Sequence, residues 1–300
     1  IAKLWKRGAP VSEAKLVFEG KTEDTAVWPV IYETADGVVP TVVRAVDFFD
    51  SETYVVAGDG SVKMLPLPLY AEIRAIFKHQ VLFTVREDWA APDGVTYKQG
   101  SLLAFSLADW QATGALPKIA TLFTPTERTA VDSVATTKDK AFVSVLDNVR
   151  GRIYSYDFDG SAWSAAAPVT LPENGTVSIA DADVDSGTVM FNYEDFLTPD
   201  SLYWSFDDGA HVEKVKSLPD RFDASGYDIQ QLEVASKDGT MIPYFVVGPK
   251  GRTGPLPTLL YAYGGFQVST TPWYWQTAGK LWLARGNVFV IANIRGGGEF

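Results

Sequence analysis

Short strands and sharp turns dominate the first 221 residues, and that rhythm limits the fold more than any other property of the chain. Ser101-Leu-Leu-Ala-Phe-Ser-Leu, Lys140-Ala-Phe-Val-Ser-Val-Leu, Arg152-Ile-Tyr-Ser-Tyr-Asp-Phe and Ser201-Leu-Tyr-Trp-Ser-Phe each alternate or run apolar over the length of a strand. Asp147-Asn148, Asp159-Gly160 and Asp207-Asp208-Gly209 then supply turn formers. Closely spaced strands rich in aromatic and β-branched residues predict an all-β architecture. A two-sheet sandwich is used up in about 100 residues. Blades of ~40–50 residues with four strands each fill this length four to five times. No single motif repeats cleanly, so the pattern alone does not decide for the propeller. One helix-like stretch stands out, around Leu69–Phe77. Trp89, Trp110, Trp163 and Trp204 sit near strand ends and read as packing between blades rather than as a ligand box.

The character changes after Leu218-Pro219-Asp220. Gln231–Ser236 and Thr240–Val247 read as two strands around Lys237-Asp238-Gly239, a turn compatible with a type I′ hairpin. Pro243 cannot donate to a ladder, which predicts an edge position for its strand. A Pro- and Gly-rich loop, Gly248–Pro257, leads into the apolar strand Thr258–Tyr263. Gln276–Arg285 follows with Ala278, Leu281, Trp282 and Ala284 near helical spacing, and Gly286 as its stop. Asn287–Ile294 is a continuous apolar run, as in a buried parallel strand. A hairpin followed by a β–α–β crossover is how an α/β-hydrolase sheet begins.

Charge and composition exclude several functions. The net charge of −11 is concentrated before residue 222, where acidic residues far outnumber basic ones. An acidic surface repels phosphate backbones, which argues against nucleic acid. There is no cysteine, so disulfides, thiolate nucleophiles and cysteine zinc sites are all excluded. His79 and His211 lie far apart without metal-ligand spacing, and both read as structural or surface histidines; no metal is expected. No run of 18 apolar residues spans a membrane. Asn174-Gly-Thr176 matches a glycosylation sequon, but the plain reading is an Asn-Gly turn.

No G-x-S-x-G elbow occurs among the serines. Tyr261-Ala-Tyr-Gly-Gly-Phe266 is the segment with chemical promise. Acyl transfer needs donors aimed at an oxyanion, and in α/β-hydrolases one of them comes from the loop after the third strand. Tyr263 ends an apolar strand at its carboxyl edge, where ligands bind. The spacing equally allows Tyr263 as a packing aromatic and Gly264-Gly265 as a simple turn.

Residues 222–300 resemble the prolyl oligopeptidase family of serine peptidases, and the strands before them do so less sharply. The resemblance is carried by Ser236-Lys-Asp-Gly-Thr-Met-Ile-Pro243, Tyr261-Ala-Tyr-Gly-Gly-Phe266 with Thr271-Pro272, and Ala292-Asn-Ile-Arg-Gly-Gly-Gly-Glu299. Leu4-Trp5-Lys6-Arg7-Gly8 and Phe196-Leu197-Thr198-Pro199 with Leu202-Tyr203 add to it. Ala262 departs from the family's usual glycine. The resemblance implies a β-propeller of seven blades capping an α/β-hydrolase domain. Here that means a partial propeller of about four to five blades over residues 1–221, with N-terminal blades missing. The first strands of the hydrolase domain then occupy 222–300, truncated before the catalytic Ser.

The resemblance further implies that Tyr263 donates its hydroxyl to the oxyanion and that Phe266 lines the substrate-binding pocket for the residue before the cleaved bond. Phe266 favours the proline-specific branch over relatives that cleave after basic residues. The family's Ser, Asp and His triad has no counterpart among these residues. Arg295 and the glycines after it read as scaffold. The expected function is hydrolysis of short peptides after proline through an acyl-enzyme, without cofactors, by a monomer with no nucleic-acid or membrane partner. Related hydrolases, such as an acylaminoacyl peptidase or an esterase, are the alternatives, and a non-catalytic propeller binding module is a further one. The cytoplasm is the expected compartment, with periplasm or secretion left open by the start at Ile1. Residues 1–300 alone are expected to be inert and poorly folded, with Val288–Ile294 as an unpaired strand edge.

Overall fold

A computed structural model describes residues 1–300, which divide into two compact units: Ile1–Thr124 with Asp157–Ala165, and Pro125–Tyr156 with Ala166–Phe300. In the first unit, β1 (Ala2–Leu4) and β2 (Lys15–Phe18) form a two-stranded antiparallel sheet. β3 (Ala26–Thr34), β4 (Gly37–Ala45), β5 (Ser51–Val56) and β6 (Val62–Met64) then form a four-stranded meander. The next four-stranded sheet contains β7 (Ala71–Phe77) and β8 (Gln80–Val85). The small hairpin of β9 (Trp89–Ala90) and β10 (Thr96–Tyr97) interrupts it before β11 (Leu102–Ser106), helix α1 (Leu107–Thr113) and β12 (Ala120–Phe123).

The second unit opens with two more meanders. β13 (Thr129–Thr136), β14 (Lys140–Asp147), β15 (Arg150–Asp157) and β16 (Ala167–Pro168) make one. β17 (Thr176–Ala182), β18 (Val189–Glu194), β19 (Ser201–Ser205) and β20 (Glu213–Ser217) make the other. The four meanders begin at Ala26, Ala71, Thr129 and Thr176, roughly 50 residues apart, as four-stranded blades do. They are blades of a β-propeller.

A fifth sheet is mixed. It is built from β21 (Tyr227–Ala235), β22 (Met241–Pro249), β23 (Thr258–Ala262), helix α2 (Gln276–Leu281) and β24 (Val288–Ala292). Its order is β21-β22-β24-β23, with β24 antiparallel to β22 and parallel to β23. This is the start of the α/β-hydrolase sheet.

Apolar faces pack each sheet on the next within a unit. Val55 and Leu65 of the first blade join Phe83, Phe105 and Trp110 of the second in one core. Phe142 and Ile153 of the third join Val177, Phe191 and Tyr193 of the fourth. The tight approach between these last two sheets selects glycine. A Cβ at Gly151 would lie 2.3 Å from the Val177 nitrogen of the fourth sheet, and within that sheet one at Gly175 would lie 2.1 Å from the Glu194 carbonyl oxygen. Gly175 of the sequon thus serves close approach as well as a bend. Trp89 and Trp110 are buried in the first core, and Trp163 packs on Phe77 and Phe158, as the packing reading predicts.

The fourth blade covers the mixed sheet through Phe196. Asp195 accepts the Leu197 and Thr198 backbone N–H groups at 2.7 Å each, and also the hydroxyls of Thr198 and Tyr193. Those four bonds hold the turn between β18 and β19 in one shape and deliver Phe196, only 1% exposed, against Phe245, Trp273 and Phe289. Phe245 and Val247 of β22 pair with Ile291 and Phe289 of β24, so all four share one face under Phe196 and Val149. Gln231 of β21 adds a bond to the Asn148 carbonyl (2.7 Å), and Arg128 pairs with Glu233.

Several local expectations need correction. Ala71–Phe77 is strand β7, because Ala75, Ile76 and Phe77 are buried against neighbouring strands. The helix lies instead at Leu107–Thr113, where the Ser106 side chain caps the Asp109 N–H and Gly114 closes the end with φ 75°. Pro243 does not mark an edge, since β22 lies between β21 and β24. Its carbonyl accepts from Asn293 N–H just where the β24 ladder begins at Tyr244, so its missing donor falls at the ladder's end. Val288–Ile294 is not an unpaired edge, because the crossover places β24 between β22 and β23; the outer strands of the sheet are β21 and β23. Leu260 of β23 is 65% exposed. At Lys237-Asp238-Gly239 only Gly239 has positive φ, at 88°. The hairpin therefore closes with a type I turn and a left-handed glycine rather than type I′. Helix α2 is shorter than Gln276–Arg285, giving way at Trp282 to a 3₁₀ turn, Leu283–Arg285, that ends at Gly286. No helix is long and apolar enough to cross a membrane.

Phe196→Ala is expected to destabilise the protein by ~3–5 kcal/mol, the range for truncating a buried Phe. Urea unfolding followed by tryptophan fluorescence measures this. A loss under about 1 kcal/mol would show that the side chain does not support the mixed sheet.

Candidate active site

β23 and β24 run in parallel with Ala262 opposite Ala292. Tyr263 and Asn293 therefore leave the carboxyl ends of two adjacent strands together, the position at which α/β sheets place ligands. The two loops that follow, Tyr263–Thr270 and Asn293–Glu299, interlock backbone on backbone. Gln267 N–H donates to the Gly296 carbonyl at 3.0 Å, and Val268 N–H donates to Gly265 at 3.1 Å. A Cβ at Gly264 would meet the Arg295 carbonyl at 2.2 Å, and one at Gly298 would meet the Gln267 carbonyl at 2.3 Å. Gly296 is held at φ 90°, and its Cβ would fall 2.0 Å from the Gly264 carbonyl oxygen. Side chains are excluded here by contact as much as by dihedral angle.

The turn carries strain at its tip. Phe266 and Gln267 both sit at φ 56°, a region costly for bulky residues and concentrated at functional sites. Phe266 is 74% exposed there, displayed rather than packed into the core. Tyr263 is about half that exposed, and its hydroxyl lies 2.6 Å from where a Gly265 Cβ would stand. Gly265 thus makes room for the phenol over its own turn. The sequence-predicted pair Tyr263 and Phe266 comes together on this one turn.

Beyond the turn, the chain is tied to the fourth blade. Thr176 donates its hydroxyl to the Pro272 carbonyl (2.5 Å), and Tyr274 N–H donates to a Glu194 carboxyl oxygen (2.8 Å). Burial pushes the Glu194 carboxyl above its usual range, and the Tyr274 N–H works in the opposite direction. Tyr274 stacks on Phe222, and its hydroxyl accepts the Arg221 N–H. On the other side, Arg295 pairs with Asp238 in the hairpin turn. The Thr240 backbone N–H, and then Arg295, hold the Asp238 carboxyl down to about 2.

His211 pairs with Asp207 in the loop before β20, and His79 occupies the β7–β8 turn at φ 59° near Asp36. Both are exposed, as the surface reading expects. Residues that sequence reasoning left as scaffold or did not single out are Arg295, Gly296, Gly298, Thr176 and Glu194. The run of glycines was the visible signal. Its meaning depends on a loop some thirty residues earlier, which no local pattern reveals.

Residues 1–215 match the family model described as prolyl oligopeptidase, N-terminal beta-propeller domain. An uncharacterized peptidase of Sinorhizobium fredii is 37% identical over 307 residues, covering 100% of this chain and 42% of that protein. An uncharacterized peptidase of Rickettsia prowazekii is 32% identical over 308 residues, covering 99% of the chain and 42% of the relative. The solved structure of a post-proline cleaving enzyme from Rickettsia typhi superposes with a TM-score of 0.89 at 30% identity, covering 99% of this chain and 44% of that one. The chain thus spans less than half the length of these relatives.

Gly254 and Gly296 separate conformational strain from collision. Both have positive φ, but a Cβ at Gly254 meets nothing within 4 Å. Gly254→Ala is expected to cost ~1 kcal/mol, the left-handed penalty alone. Gly296→Ala should cost a further ~1–3 kcal/mol for the clash. Chemical denaturation of both variants measures the difference, and equal losses would mean that the two loops do not touch.

Proposed function

The chain belongs to the prolyl oligopeptidase family, and from that premise we propose that the whole protein is a serine peptidase that cleaves short peptides after proline through an acyl-enzyme. In this reading residues 1–221 form part of the propeller and 222–300 begin the catalytic α/β domain. The observation that carries the proposal is the Tyr263–Phe266 turn at the carboxyl end of β23, with its phenol and its phenyl ring on one strained loop.

Attack on the scissile carbonyl places negative charge on its oxygen. A preorganised hydroxyl lowers the barrier only if it binds that oxygen more strongly than the ground-state carbonyl. Tyr263 has this role in the proposal. Gly265 leaves room for its ring over the turn. Phe266 offers an exposed apolar face to a proline ring, and its discrimination arises from buried apolar area. The nucleophilic Ser and its Asp and His partners lie outside residues 1–300 in this reading. Those residues alone are then inert, because an oxyanion donor without nucleophile and base retains little of the rate enhancement. Short peptides are the substrates, and the intact protein acts as a monomer without cofactor.

In the full-length protein, Tyr263→Phe is expected to lower kcat by ~10²–10³ with little change in KM, since one oxyanion donor is worth that much. Phe266→Ala should instead narrow the preference for proline over basic and N-acylated substrates. A panel of the three peptide reporter classes measures both variants. A kcat within a few-fold of wild type for Tyr263→Phe returns Tyr263 to a packing role. Preferred turnover of the N-acylated or basic reporter by wild type overturns the post-proline reading.

A further inference from the structure

Two polar side chains of the second loop are almost wholly buried. Glu299 is 1% exposed and Asn293 is 2% exposed. Buried polar groups are retained where they find partners, and both find the same one, the backbone of Thr270. The Glu299 Oε1 accepts the Thr270 N–H at 2.7 Å, and the Asn293 Nδ2 donates to the Thr270 carbonyl at 2.7 Å. Asn293 Nδ2 also donates to Glu299 Oε1 at 3.0 Å, closing the triangle. Both backbone polar groups of Thr270 are thus held by side chains of the neighbouring loop.

The geometry around this triangle is exacting. A Cβ on Gly297 would lie 2.0 Å from the Glu299 Oε2, so the carboxyl group can fold back only over a glycine. The Asn293 Oδ1 is buried without a hydrogen-bond partner. Turning the amide over would satisfy nothing, because that oxygen would then face two acceptors. These two acceptors therefore fix which way the amide points.

Thr270 ends the loop that begins at Tyr263. Its strained tip at Phe266–Gln267 persists only if its surroundings over-determine it. We propose that Glu299 is a positioning residue, acting with Asn293 to lock the Thr270 end of this loop so that the Tyr263 hydroxyl stays aimed at the oxyanion. The inference rests on the oxyanion reading of Tyr263. Glu299 touches no reacting atom; it acts through the loop.

The test is a double-mutant cycle in the full-length protein, read on a Gly-Pro anilide. Glu299→Ala is expected to lower kcat by ~10–100-fold with KM nearly unchanged, the scale of a misplacement of about 1 Å. In the Tyr263→Phe background the same substitution should cost under about twofold, because the hydroxyl it positions is already gone. Glu299→Gln, which keeps the acceptor oxygen, should recover most of the lost kcat. If Glu299→Ala does not fold, Asn293→Ala enters the same cycle, since it releases the Thr270 carbonyl from the other side. An unchanged kcat, or a loss that is fully additive with Tyr263→Phe, overturns the positioning role alone. Wild-type kcat in Tyr263→Phe itself removes the oxyanion reading and this inference with it.

Discussion

Phe196 carries the junction on which the second unit depends. It belongs to a blade by sequence and to the mixed sheet by packing, meeting Phe245 and Phe289 across the face that those strands present. A four-stranded sheet with one apolar face cannot stand in water unless another layer covers it. Here the cover includes Val149 of the third blade and a turn of the fourth, stiffened by Asp195, that carries Phe196. Burial, and then the Asp195 carboxylate beside it, push the Tyr193 phenol above its ordinary range, and the hydroxyl donates to Asp195. Blade, turn and mixed sheet are therefore one packing problem.

The same junction reaches the Tyr263–Phe266 turn. Thr176 and Glu194 stand at facing ends of paired strands in the fourth blade, and they bind Pro272 and Tyr274 a few residues beyond Phe266. Asn293 and Glu299 hold Thr270 from the neighbouring loop. Each of these bonds is worth only about 1 kcal/mol net. Together they bound a segment that contains two non-glycine residues in the left-handed region. Strain of that kind needs several independent restraints, and the restraints come from two different layers.

Much of this was legible in the residues. Leu102–Ser106 and Lys140–Asp147 are apolar runs of strand length, and both are buried on the two faces of their sheets. The Asp238-Gly239 hairpin and the Gly286 helix stop follow from the need for a positive φ at each glycine. Tyr263 at the end of an apolar strand pointed to the carboxyl edge of a parallel pair, which is where it lies. Leu69–Phe77 misled, since it looks helix-like but Ala75, Ile76 and Phe77 enter the core as strand β7.

Chain order and chain neighbourhood differ most in the mixed sheet. The sequence by itself determined which segments become strands and turns, because dihedral preference and side-chain alternation are local. Only the tertiary structure decided that β24 lies between β22 and β23, and that Pro243 sits inside the sheet at the end of a ladder. Only it gave the glycines of Gly296–Gly298 their meaning, since the atoms that forbid a side chain at Gly296 and Gly298 belong to Gly264 and Gln267. Strand periodicity states that a face will be buried; which partner buries it depends on contacts between residues far apart in the chain, and those exist only once the layers have packed.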